Sequence, residues 1–155
     1  MFSGVALAAC GVPDDLVDRH GLARRVYDRG GEKEFQFLLR DGERVLPVWL
    51  DGRLQIARWG TRRGQSDRLP PTAWTWLATF EAGGWRELGA EPVVIPATMG
   101  LDRGVWFLVT EGVRGVAVRD ERGEPVVYVL VEPSTHYYQV MTRSPWMPSL
   151  VGELI

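Results

Sequence analysis

Arg58, Arg62, Arg63 and Arg68 form the densest cationic stretch of this 155-residue chain. Guanidinium forks fit phosphate oxygens bidentately. Trp59 and Trp74 border the stretch. Rings beside cations are what a channel for single-stranded nucleic acid requires, the rings stacking on bases and the cations meeting phosphates. The seven tryptophans (Trp49, Trp59, Trp74, Trp76, Trp85, Trp106 and Trp146) are too many for one site. Most are expected in the core, because each buries a large apolar area. A second constellation is Ser134-Thr135-His136, followed by Tyr137 and Tyr138. On an extended strand, residues two apart share a face, so Ser134 and His136 are spaced as a nucleophile and its base. No G-x-S-x-G elbow surrounds Ser134. Asp102, Glu111 and Glu132 lie near turns, and Asp102 completes the set of catalytic candidates.

Composition narrows the rest. With 18 basic and 20 acidic residues the formal net charge is -2. There is no global field to hold a polyanion, so nucleic-acid binding would need a local patch. Cys10 is the single cysteine, which excludes an intrachain disulfide and a cysteine-based zinc site. His20 and His136 are far apart, and no metal site is expected. P-loop, Rossmann glycine, EF-hand and HExxH motifs are absent, so no cofactor is expected. Met1 to Gly11 is apolar but has no basic n-region and is too short to span a bilayer. It reads as a buried first strand of a cytoplasmic protein with no membrane partner. Oligomeric state is not legible.

The elements that would position these residues are short. Pro13 to Arg25 predicts a helix or two turns, with Leu16, Val17 and Leu22 on its apolar face. Asp28-Arg29-Gly30-Gly31 interrupts the chain. Glu34 to Leu39, Glu43 to Leu50 and Arg53 to Trp59 predict a three-strand meander turning at Asp41-Gly42 and Asp51-Gly52. Thr61 to Pro71 is a polar loop, after which Thr72 could cap a helix carrying Trp76, Leu77 and Phe80. Strands follow at Pro92 to Ile95, Val105 to Thr110, Val113 to Arg119, Val126 to Val131 and Tyr137 to Met141. About eight strands with one or two short helices predict a single α+β domain over residues 1–155. Its mostly antiparallel strands would form a barrel-like sheet, with the helices packed outside.

Four landmarks, in order, resemble the SOS response-associated peptidase (SRAP) family. Trp59-Gly60 is similar to its W-G-L element, and Thr72-Ala73-Trp74 stands where the family has N-A-R. Ile95-Pro96-Ala97 and then Gly104-Val105-Trp106-Phe107 resemble I-P-A and G-F-Y-E-W. Met147-Pro148 resembles the end of H-D-R-M-P. The resemblance runs from about Pro47 onward. It implies a β-rich barrel with a groove for single-stranded DNA. It also implies an exposed N-terminal cysteine, which crosslinks abasic sites with help from a glutamate and a histidine. Aligned residue by residue, the cysteine falls on Phe2, the glutamate on Phe107 and the histidine on Ser144. The motif asparagine and arginine fall on Thr72 and Trp74. The resemblance therefore implies a divergent domain without crosslinking or autopeptidase activity that retains a groove. Trp59, Arg62, Arg63, Trp74 and Arg143 would contact DNA there. Asp102 or His136 could substitute catalytically only if the fold places them in the groove. A hydrolase built on His136, and a non-enzymatic protein-interaction domain, remain as alternatives.

Overall fold

Asp51 and Gly52 take φ values of 54° and 75°, and Arg103 and Gly104 take 48° and 78°. Two consecutive left-handed residues make a type I′ turn, whose twist matches the strands it joins. The computed structural model describes residues 1–152. From the N-terminus come β1 (Phe2–Ala8), α1 (Asp14–His20), β2 (Val26–Arg29), β3 (Glu32–Leu38), β4 (Val45–Leu50) and β5 (Arg53–Trp59). Next are β6 (Trp74–Trp76), α2 (Leu77–Glu81), β7 (Glu91–Ile95), β8 (Met99–Asp102) and β9 (Val105–Leu108). The chain continues through β10 (Val113–Arg119), β11 (Pro125–Pro133), α3 (His136–Thr142) and β12 (Trp146–Pro148). No helix among the described residues is long and apolar enough to cross a membrane.

The strands make two sheets. One is antiparallel, in the order β2-β3-β1-β8-β9. In the other, β10-β7-β4-β5-β11 closes on itself through the β10–β11 pairing, giving a five-stranded barrel; β6 and β12 also pair with β11. The fold is thus α+β and barrel-forming. Closure leaves β10 and β11 buried on both faces. Val113, Ala117, Val127, Val129 and Val131 join the main core, while Val116, Val118, Val126, Tyr128 and Leu130 pack outside against Leu69 and Trp85. A strand covered on both sides reads as a continuous apolar run rather than an alternation, which is how β11 stands out in the sequence, while β10 keeps the run only over Gly115–Val118 between Arg114 and Arg119. Phe2, Val5, Leu7, Phe35, Phe37 and Phe107 extend the main core into the first sheet.

Three local expectations are corrected. The Asp41-Gly42 turn does not close a hairpin, because β3 pairs with β1 and β2 while β4 belongs to the barrel. The Asp41 carboxylate instead accepts from the Leu38 amide (3.1 Å) and from Arg25 Nη1 (2.7 Å), fixing a crossover between sheets. Thr72 does not cap α2: Trp74–Trp76 is a strand, and Trp76 is the residue preceding the helix. Tyr137 to Met141 is helical, because the Thr135 hydroxyl accepts from the Tyr138 amide at 3.2 Å and caps α3.

The β10–β11 turn predicts an acid sensitivity. Asp120 is 7% exposed. Burial alone would raise its pKa, but the Glu124 and Arg122 amides and the Arg58 guanidinium outweigh it and hold the carboxyl below its ordinary value. A depressed folded pKa contributes stability that is present above the unfolded value, about 4. That stability is lost as pH falls through the folded one. Urea midpoints should fall as pH drops from about 4, and Asp120→Asn should flatten that fall. An unchanged slope would contradict the assignment.

Candidate functional site

β8 ends at Asp102 because Arg103-Gly104 turns the chain, and the sheet sets this end beside the start of β1, with Phe2 opposite Asp102. The Asp102 carboxylate is completely buried. Its Oδ1 accepts from the Met1 amine (2.7 Å) and from the Ser144 hydroxyl (2.6 Å); its Oδ2 accepts from the Tyr138 hydroxyl (2.6 Å). The Met1 amine also donates to Ser144 Oγ at 3.0 Å. Three donors on two oxygens satisfy a buried charge that would otherwise be very costly. Burial, then the Asp102 hydrogen bond and charge, push the Tyr138 pKa far upward, so it stays a protonated donor. Apolar rings close the other side. Phe2 lies 6.3 Å from Trp59 and 6.4 Å from Phe107, and Phe107 meets Tyr138 edge-on at 5.3 Å.

The Ser134–His136 pair is not brought together. His136 opens α3 rather than sharing a strand face with Ser134, and it is exposed. The Ser134 hydroxyl donates to the Ser144 carbonyl at 2.8 Å, which supports the loop that carries Ser144. Of the three catalytic candidates, only Asp102 sits in a cluster of polar groups.

The arginine stretch divides by role. Arg58 pairs with Asp120 at 3.1 Å, and Arg68 donates to the Arg119 and Leu88 carbonyls. Arg62 Nη2 donates to the Asp41 carbonyl at 2.7 Å, which holds the 60s loop against the sheet crossover. Arg63 is exposed and makes no hydrogen bond among the described residues. Arg143 is exposed at the left-handed C-cap of α3 (φ 62°). Trp59 is 0% exposed and donates through Nε1 to the Ala73 carbonyl at 3.0 Å. It offers no face to a base. Trp74 is half-buried on Trp146 (5.3 Å), which also meets Trp76 (6.1 Å), 46% exposed. Trp74, Trp76 and Trp146 therefore form one accessible aromatic cluster, of which the sequence reading singled out only Trp74; Trp49, Tyr27 and Tyr137 are also exposed.

Sequence reasoning also missed Tyr138, Ser144 as a polar partner, and Arg44. Arg44 lines a cavity of about 370 Å³ with Arg58, Arg62, His20, Trp59 and Gly60. Its only signal in the sequence was its place beside the turn preceding β4. No family model, curated protein or solved structure matches the chain.

Proposed function

We propose that this chain is a divergent SRAP-like domain that holds single-stranded DNA and has no cysteine-dependent crosslinking or autopeptidase chemistry. The observation that carries the reading is a convergence. Phe2, Phe107 and Ser144, the positions aligned with the family's cysteine, glutamate and histidine, lie far apart in sequence yet meet in one cluster around Asp102. The types present explain the lost chemistry. Phe2 has no thiol to add to an aldehyde, and Phe107 has no carboxyl to move a proton. Ser144 spends its hydroxyl on Asp102. Asp102 supplies a carboxylate, but both its oxygens are engaged.

Binding rests on the accessible groups. Arg62, Arg63 and Arg143 supply phosphate contacts, and the Trp74–Trp76–Trp146 cluster supplies stacking worth about 1–3 kcal/mol per base. Fluorescent single-stranded DNA is expected to bind at low salt, weakly selective for base. It should release with a slope of log affinity on log salt of about -0.7 for each phosphate met. Arg62→Ala with Arg63→Ala should shallow that slope. No binding at low ionic strength would overturn the reading.

A further inference from the structure

Arg44 is a half-buried guanidinium with no acceptor among the described residues. Burial, then the neighbouring Arg62 charge, push its pKa down against a smaller opposing effect of Tyr128. The cavity it lines is bounded by the Glu43–Val45 segment, the end of β5 and the loop after it, and the start of β11. Arg58 lines the same cavity, and its buried Nε has no hydrogen-bond partner. Arg62, exposed at the rim, donates its Nη2 to the Asp41 and Gly42 carbonyls and makes no ion pair among the described residues. Glu43 and Glu124 also line the cavity, but both are exposed, and the Glu43 carboxylate is taken by Arg24 at 3.1 Å. Arg58 is matched by Asp120 at 3.1 Å through Nη2, which leaves its buried Nε as the unpaired donor, and buried N–H groups are rarely left without water, an ion or a ligand to complete them.

We infer that this cavity is a phosphate site, in which Arg44, Arg58 and Arg62 converge on the oxygens of one phosphate group. Guanidinium donors in fork geometry match those oxygens. His20 lines the same wall, and its pKa is lowered by burial and by Arg19 against the opposing charge of Glu43. The volume suits a small ester as well as a group on a chain. The phosphate has two possible sources, a free phosphomonoester or a phosphodiester of the strand proposed above. The site does not depend on the second.

The test is thermal melting in phosphate-free buffer at constant ionic strength. Inorganic phosphate and thymidine monophosphate are titrated against sodium chloride, alongside binding of an oligothymidylate, for wild type and Arg44→Gln. A ligand bound only by the folded state raises Tm. Wild type should show a rise with both phosphates that chloride does not reproduce, and Arg44→Gln should lose it. Without ligand, Arg44→Gln should melt no lower than wild type, because it removes a repelling charge. That separates loss of the site from loss of the fold. A phosphate-specific rise without oligothymidylate binding supports the site with a free ester and ends the DNA reading. Oligothymidylate binding weakened at least tenfold by Arg44→Gln, with no rise from free phosphate, supports the site with the strand as its source. No phosphate-specific rise, together with equal oligothymidylate binding by both proteins, overturns the inference while leaving the DNA reading intact.

Discussion

Asp102→Ala is expected to lower the unfolding free energy by about 2–5 kcal/mol, because it strands the buried Tyr138 and Ser144 donors, while the half-exposed Met1 amine regains water. The carboxylate is the shared acceptor of Met1, Ser144 and Tyr138. The Tyr138 hydroxyl and Ser144 are completely buried, so neither finds water when the acceptor goes. Each buried unsatisfied donor costs about 1–3 kcal/mol. A domain of this kind is stable by only about 5–15 kcal/mol, so the variant should lose much of its margin. Tyr138→Phe removes one donor and leaves Asp102 two others, and should cost clearly less. Urea unfolding of the three proteins at neutral pH measures the order. A loss below about 1 kcal/mol for Asp102→Ala, the scale of an exposed ion pair, would mean that the cluster is not a buried network.

Gly60→Ala should be comparably damaging, more than about 3 kcal/mol, for a purely steric reason. Gly60 has φ 60°, and a Cβ built there would lie 2.2 Å from the Thr72 carbonyl oxygen and 2.7 Å from Ala73 Cα. Both neighbours are backbone, so no side chain can rotate away. Both are also fixed, since the Thr72 carbonyl accepts from the Thr61 amide at 3.0 Å and the Ala73 carbonyl from the Val129 amide at 3.1 Å. Gly30→Ala is the matched control, with φ 61° and nothing within 4 Å of the new atom. It should cost only the left-handed backbone term of about 1–2 kcal/mol. If the two variants melt alike, the close approach of β5 to Thr72-Ala73 is not as described.

These two sites show what a sequence can reveal. The Asp51-Gly52 turn, α1, and strands β10 and β11 were legible because each obeys a local rule: positive φ at a turn, a helical apolar face, a run covered on both sides. The β3-to-β4 crossover was not legible. Asp41-Gly42 carries the same turn signal as Asp51-Gly52, and a bond from Arg25 across the fold diverts it. Trp59 was misplaced for a related reason. Leu54 and Ile56 suggest one phase of alternation, but burial changes phase along β5, and Ala57 and Trp59 face inward. α3 was missed because Tyr137, Tyr138 and Val140 favour strands, and a single Thr135 cap decided otherwise. The Asp102 cluster joins residues from both ends and the middle of the chain. Only pairing of β1 with β8, and the return through α3, bring them together. The SRAP resemblance pointed to Phe2 and Ser144 and named Asp102 only as a conditional substitute; it gave no sign that the Asp102 carboxylate would bond to Ser144.

The most direct test of the central claim compares two oligonucleotides of one sequence, intact and carrying a single abasic site, each incubated with the protein at low salt. Binding to both with similar affinity, full release at high salt and no protein–DNA adduct that survives denaturation are expected. A stable adduct on the abasic strand, or no binding to either strand, would contradict that claim.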